Sequence, residues 1–404
     1  MIPTPLHAAL DAVSAAALIA GPRARGWPKG LRGPFAAAGL GVAGYSLLTR
    51  YRQGSAAPLS MGEHLALDAL QGAGFCAAAA LLDRAPREVR TTMLGYGLFS
   101  LAAALLTDRP EQGRRTVGRQ VAVPSEARAS IGEGPAHEVV PGLAYRRLGI
   151  VNLAFLGARG AGDRGWVLVD AGLPVSAGAI TRAAEARFGP GARPAAIVMT
   201  HGHFDHVGAL EHLAEAWDVP VYAHPLEHSY LDGTASYPPG DPTVGGGAMA
   251  AVAGLYPTAP VDVSRRLRAL PEDGTVPFAP DWRWLHTPGH TPGHVSLWRE
   301  GDRTLLSGDA VITTRQEAAY AVALQSPEIH GPPAYFTPDW AAARASARTL
   351  AALEPEVILS GHGAPLGGPE MRRALHRLAD AFDALAVPDA RDRSLPPDRS
   401  EGRA

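Results

Sequence analysis

The sequence predicts an all-α, membrane-type domain followed by a layered α/β domain. Three observations lead there. Residues 1–107 hold four long apolar stretches, with charges confined to short runs between them. From about Gly142, short β-like runs alternate with amphipathic helical patterns, as expected where helices layer on sheets. Histidines and aspartates gather where those runs end, above all in THGHFDHVG, Thr200–Gly208.

Bulk composition narrows the classes of function. The chain has 404 residues and a formal net charge of -2, so it carries no global basic field and nucleic acid is not an expected partner. Hydrophobic residues make up 46 % and charged residues 19 %, ample for a core. Cys76 is the only cysteine, which excludes an intramolecular disulfide and a cysteine-ligated metal centre.

In the N-terminal part, Gly33–Thr49 and Thr91–Thr107 are free of charge, each at the lower end of the roughly 17–25 residues that span a bilayer. Ile2–Pro22 is interrupted by His7 and Asp11, and Gly62–Leu82 by Glu63, His64 and Asp68. The interruptions repeat: PLHAALDAV and GEHLALDAL both contain H-x-x-x-D, at the same offset for His and Asp. Each is followed by an arginine-bearing loop and then a clean apolar segment, which reads as a duplicated helical hairpin. Four spans are expected, making residues 1–107 a multi-pass membrane domain. At i, i+4 spacing each His and Asp share a helix face and can pair. Such pairs inside a membrane face the bundle interior, as structural contacts or as a proton, quinone or ligand site. Arginine runs flank both ends of the segments, so charge bias gives no clear orientation. The working expectation puts the C-terminal domain on the cytoplasmic side.

Residues 108–141, with Arg109, Arg114, Arg115 and Arg119, read as a linker in which a strand begins near Gln120–Val123. The α/β domain is expected over 142–388, and 389–404 as a disordered tail. WVLVDAG (Trp166–Gly172) and AAIVMTHGH (Ala195–His203) read as buried strands, as do WRWLHT, HVSLWRE, RTLLSGD and EVILSGH. AGAITRAAEARFG, Val207–Trp217 and WAAARASARTLAAL read as helices.

The crowded stretch follows a strand. His201 and His203 alternate along extended backbone and can reach one cation together, at about 2.0–2.1 Å. Asp205 and His206 lie further round the turn and can reach a second. More ligand-type residues stand at other strand ends: His290 in HTPGHTPGH, Asp309 in LLSGDAV and His362 in VILSGHGAP. His294 is expected to support the site rather than ligate, and His224 and His286 to stand near it. The Gly/Pro-rich segment Tyr237–Met249 reads as a lid or pocket wall. In Thr313–Phe336, Gln316, Glu317, Tyr320, His330 and Tyr335 are candidates to face a small-molecule substrate.

Together VLVDAG, THGHFDH, TPGHTPGH, SGDA and SGHG resemble the metallo-β-lactamase-fold hydrolases, over about residues 142–385. The resemblance implies an αββα sandwich with a dinuclear site along one edge. By it, His201, His203 and His290 bind one metal, Asp205, His206 and His362 bind the other, Asp309 bridges them, and Asp170 orients ligands. Class B β-lactamases typically carry Cys where Asp309 stands, so β-lactams are disfavoured. Flavodiiron proteins carry an acid where His203 stands. Glyoxalase-II-like thioesterases and lactonases share all the ligand positions. The expectation is therefore a membrane-anchored hydrolase with two divalent ions, zinc foremost and manganese or iron as alternatives. A metal-bridging hydroxide, oriented by Asp205, would attack an ester, thioester or lactone. The alternatives are a persulfide-dioxygenase-like enzyme with one iron, and a membrane sensor with a structural metal site.

Overall fold

The computed structural model describes residues 4–49, 58–82, 85–107, 119–120 and 135–388. The expected tail, most of the linker and the Arg50–Arg52 loop lie outside the described residues. Four helices come first: α1 (Thr4–Ala24), α2 (Lys29–Leu47), α3 (Met61–Leu81) and α4 (Arg87–Leu106). Pro28 and Pro86 stand immediately before α2 and α4, where proline's missing N–H leaves no helix bond unmade.

The helices pack as two hairpins, α1 on α2 and α3 on α4. At the second crossing a Cβ on Gly72 would lie 2.8 Å from the Gly97 carbonyl oxygen, so the two backbones touch. At the first crossing a Cβ on Gly39 would lie 2.8 Å from the Ala15 carbonyl oxygen. The repeat read from the sequence thus extends to the packing. Leu40, Leu70, Leu98 and Leu105 are exposed on the outside, whereas His7, Asp11, His64, Asp68 and Ser100 are buried within. The within-helix contact His7–Asp11 is 3.5 Å, but the shorter contacts cross between the hairpins, His7–Asp68 and His64–Asp11, both 2.9 Å. Among the described residues, α3 and α4 are the helices long and apolar enough to cross a membrane.

The α/β part holds two sheets. β1 (Arg119–Gln120) lies at one edge of the second. The first runs in chain order through β2 (His137–Val140), β3 (Leu143–Leu148), β4 (Val151–Leu156), β5 (Val167–Val169), β6 (Ala196–Val198), β7 (Val221–Ala223) and β8 (Leu267–Ala269). Its first half is antiparallel, and β5 to β8 are parallel. The second sheet comprises β9 (Arg283–His286), β10 (Val295–Arg299), β11 (Thr304–Gly308), β12 (Val357–Ser360) and β13 (Leu366–Gly367), with β11 parallel to β12. The sequence reading placed His137–Val140 in the linker. The structure pairs it with β3, so the α/β part begins before residue 142.

Alternation along the strands builds the layers. Val167, Val169, Val198, Leu297, Leu306 and Leu359 fill the space between the sheets. Leu168 and Ile197 face the other way, onto α5 (Ala177–Phe188) and α6 (Leu210–Trp217), with Phe155, Trp166, Phe188 and Trp217. Leu305 and Ile358 face α7 (Trp340–Ala352) and α8 (Pro369–Asp380). The result is the αββα order. The helix expected over Val207–Trp217 is divided into a short turn, Phe204–Val207, and α6. The break falls at Ala209, with φ -104° and ψ 6°, and the preceding Gly208 packs so closely on Leu173 and Pro174 that a Cβ there would run into them.

One side chain joins the two halves. Glu63 and Ser60 form a capping box at the start of α3, with Glu63 Oε2 accepting from Ser60 N at 2.9 Å. The other oxygen, Oε1, accepts from Ala248 N at 2.5 Å and Ala319 N at 3.0 Å. Those amides open two helical turns of the α/β part, Ala248–Ala251 and Ala319–Leu324.

Candidate metal centre

The parallel strands deliver the polar residues to one edge of the sandwich. β5 ends at Asp170, β6 leads into Thr200–His206, β11 into Asp309 and β12 into His362, while His290 comes from the β9–β10 connection. All the residues named for the two metal positions come together there, and all are buried. Three groups could each hold a cation: His201, His203 and His290; His201, His206 and Asp309; Asp205, His206 and His362.

His201, His206 and His362 each have Nδ1 anchored, which leaves Nε2 turned toward the other ligand-type residues. His206 Nδ1 bonds Asp170 at 2.8 Å, His362 Nδ1 bonds the Ile150 carbonyl at 2.7 Å, and His201 Nδ1 lies 3.0 Å from Thr200 Oγ1. His203 Nδ1 and His290 Nε2 approach each other at 2.9 Å. Asp309 sits between the groups: Oδ2 is 3.0 Å from His362 Nε2 and 3.4 Å from His290 Nε2, and Oδ1 is 3.6 Å from His206 Nε2. Among the described residues, His201 Nε2, His206 Nε2 and Asp309 Oδ1 are buried without a hydrogen-bond partner. Buried lone pairs left unmatched and aimed into one space are the signature of a cation position. These residues fit divalent metal ions.

Electrostatics divide the site. Burial pushes the His201 and His290 imidazoles well below their ordinary range and His203 to about 3, which keeps those rings neutral and available as ligands. Burial opposes charge on Asp309, but the adjoining His362 and His206 outweigh it and hold the carboxyl well below its usual range. For His206, burial is outweighed by Asp309 and Asp170, which draw the imidazole well above its ordinary value. Burial raises the Asp205 carboxyl.

Supporting contacts fix these positions. Asp170 adopts the left-handed φ of 62° and accepts from Thr200 N and Thr200 Oγ1 as well as from His206. His294 accepts the Asp309 backbone N–H at 2.9 Å, so it positions the carboxylate rather than joining the groups. Gly361 has no alternative: a Cβ there would collide with Asp309 Oδ1. Glu227, absent from the sequence reading, is buried and accepts from Gly202 N at 2.9 Å, Thr291 Oγ1 at 2.8 Å and Gly293 N at 2.8 Å, as well as from Tyr237. It ties the His201–His203 loop to the His290 loop. Its only sequence signal is an acid three residues after His224, in HPLEHS.

A cavity of about 410 Å³ opens onto His203 and His290. Its walls include Tyr230, Tyr237, Phe336 and Trp340, with Phe336 stacked on His203 at 4.6 Å. Tyr237 and Val244 bear out the expected wall role of the Gly/Pro-rich segment, and Tyr335 also lines the cavity. Glu317 instead accepts from Ala334 N at 2.7 Å, and His330 Nε2 lies 3.9 Å from Glu317. Gln316 is buried. The Tyr320 side chain lies outside the described residues. His224 and His286 stack on each other at 4.2 Å, apart from the ligand groups.

A profile of the metallo-β-lactamase superfamily matches residues 147–362. The probable metallo-hydrolase YflN of Bacillus subtilis is 46 % identical over 256 residues, covering 63 % of this chain and 97 % of that protein. A hydroxyacylglutathione hydrolase of Bdellovibrio bacteriovorus is 29 % identical over 118 residues, 29 % of this chain and 34 % of that protein. Among solved structures, TTHA1623 in a di-iron-bound form is 30 % identical with a TM-score of 0.36, covering 54 % of this chain and 89 % of that one. The profile spans more than half of the chain and YflN is matched over nearly its whole length: the chain belongs to the metallo-β-lactamase superfamily.

Proposed function

We propose that the chain is a membrane-anchored, dinuclear metal-dependent hydrolase of an apolar ester, thioester or lactone. One observation carries the reading: three buried, unpartnered ligand atoms on His201, His206 and Asp309 converge beside an aromatic-lined cavity. In this reading His201, His203 and His290 would hold one ion and Asp205, His206 and His362 a second, with Asp309 placed between the two groups as the shared ligand. When bound, two divalent cations, zinc foremost with manganese or iron as alternatives, supply Lewis acidity and a nucleophile usable near neutral pH. His203 and His290, at the floor of the cavity, fix where the acyl carbonyl is presented. Tyr237 and Phe336 orient the acyl chain and exclude water. Asp205, buried beside His206 and His362, would orient the nucleophile.

The wall chemistry narrows the substrate. None of the described lining residues is Lys or Arg. With Asp241 also in the lining, that favours an acyl group uncharged at its far end, because a carboxylate held there, away from the ions, would lack a cationic partner. The anchor reading rests on the inverted polarity of the helices, with leucines outside and His and Asp within. We place the α/β part on the same face of the membrane as the N-terminus, the cytoplasmic one.

The test is a panel of activated esters, thioesters and lactones with neutral and anionic acyl groups, run with metal quantification. Turnover of neutral acyl substrates that is lost with His201→Ala is expected. Turnover unaffected by stringent metal removal, or confined to β-lactams, would refute the reading.

A further inference from the structure

The helical bundle holds a second constellation that the hydrolase site does not use. His7 and Asp11 on α1 and His64 and Asp68 on α3 are all buried, at the end of the bundle nearest the α/β part. His7 Nε2 lies 3.1 Å from His64 Nε2, 2.9 Å from Asp68 Oδ2 and 3.5 Å from Asp11 Oδ1. His64 Nε2 lies 2.9 Å from Asp11 Oδ2 and 3.3 Å from Asp68 Oδ2. Four ligands at about 2.0–2.1 Å around a tetrahedral ion stand about 3.3–3.4 Å from one another. The observed separations, 2.9–3.5 Å, bracket those edges, with Asp11 facing His7 through Oδ1 and His64 through Oδ2.

The opposite ring nitrogens fix the protonation. His7 Nδ1 lies 2.7 Å from Thr107 Oγ1, and His64 Nδ1 lies 2.8 Å from Thr49 Oγ1. Each hydroxyl already donates its proton to a helix carbonyl one turn back, Thr107 to Ala103 and Thr49 to Tyr45, both at 2.6 Å. Each threonine oxygen must therefore accept, and each imidazole donates from Nδ1. In neutral rings both Nε2 lone pairs then face each other and two carboxylates. Two imidazolium rings would relieve this only by setting two N–H groups head to head at 3.1 Å. A dication resolves the conflict and leaves two neutral histidines, two carboxylates and the ion with no net charge, which suits an apolar interior. Two further contacts orient the carboxylates from outside: Tyr45 donates to Asp68 Oδ1 at 2.6 Å and Ser46 to Asp11 Oδ2 at 3.0 Å.

We propose that His7, Asp11, His64 and Asp68 bind one divalent cation of the zinc kind, in a closed, four-ligand site that staples the first hairpin to the second. Two ligands come from each hairpin, and each histidine is held by a threonine of the other hairpin. No position is left open for a substrate, so the site is structural. It lies one residue from Glu63, whose carboxylate holds the α/β part.

The test uses the full chain in detergent, with His201→Ala, His206→Ala and Asp309→Ala combined to disable the α/β ligand groups. The protein is loaded with zinc, desalted and analysed for metal. About one equivalent should remain, and adding His7→Ala and His64→Ala should remove it. Retention of no zinc by the folded triple variant overturns the site, as does an equivalent that survives the added changes. Should the bundle variants fail to fold, the triple variant loaded with cobalt decides: an intense tetrahedral visible spectrum supports the site, and a weak octahedral one overturns it. Thr107→Val keeps every ligand but frees His7 Nδ1, and should weaken zinc retention about 10–100-fold. Unchanged retention would count against the assigned tautomer and the site built on it.

Discussion

Replacing Asp170 with asparagine tests the metal centre without touching a ligand. Asp170 accepts three hydrogen bonds at 2.8 Å, from Thr200 N, Thr200 Oγ1 and His206 Nδ1. Asparagine tolerates the left-handed φ of 62°, so the turn should survive. It offers one oxygen. The less costly orientation keeps that oxygen where Oδ2 serves Thr200 Oγ1 and His206, and turns the NH2 toward Thr200 N–H. A buried backbone N–H then loses its acceptor, at a cost of about 1–3 kcal/mol. His206 keeps a partner but loses a charged one, so its bond falls to roughly half the strength and Nε2 becomes a poorer ligand. Changes of this kind weaken metal affinity about 10–100-fold, or about 1.4–2.7 kcal/mol. The assay is zinc titration against a competing chelator, with kcat/KM followed at fixed free zinc. One class of ion, that held by Asp205, His206 and His362, should weaken while the other is unchanged. Affinities within twofold of wild type for both ions would refute the orienting role of Asp170.

Three further outcomes follow from the same contacts. Asp309→Ala should lower turnover at least a hundredfold and Asp302→Ala by less than twofold, since Asp302 pairs with Arg299 in a turn away from the ligand groups; similar effects in steady-state kinetics would misplace the bridge. Glu227→Gln puts an NH2 against donors now served by a carboxylate, and should destabilise the chain by about 2–4 kcal/mol in chemical denaturation, with metal loss preceding unfolding. The full chain should sediment with membranes and resist a carbonate wash, and recovery in the soluble fraction would remove the anchor.

The ligand positions were legible because chemistry and local geometry coincide in them. His201 and His203 alternate on extended backbone, and Asp309 and His362 directly follow buried apolar runs, so strand patterning alone sends them to one edge. His294 was also legible as a support, being close in sequence to His290. Glu227 and Phe336 were not, because their roles arise from loops brought together only by the closed sandwich. The His–Asp repeat was visible, but the contacts within each helix dominated the reading. The shorter bonds run from His7 to Asp68 and from His64 to Asp11, and only packing one hairpin against the other creates them. The strand His137–Val140 was missed because two of its four residues are polar and its partner β3 supplies the pairing.

Glu63 also places a constraint on a part of the chain 185 residues away. Gly247, which precedes the amide that Glu63 holds, has a φ of 155°, and a Cβ there would stand 2.7 Å from both Glu63 carboxylate oxygens. The Glu317 carbonyl oxygen, 2.5 Å from such a Cβ, closes the same space from within the α/β part. Residue 247 is thus held from both halves of the protein at once. Without the helices the turn would still favour glycine, through its φ and the Glu317 carbonyl, but the amide of Ala248 would lose the Glu63 acceptor. The helical half therefore adds a second lock to a turn whose backbone the α/β part already dictates.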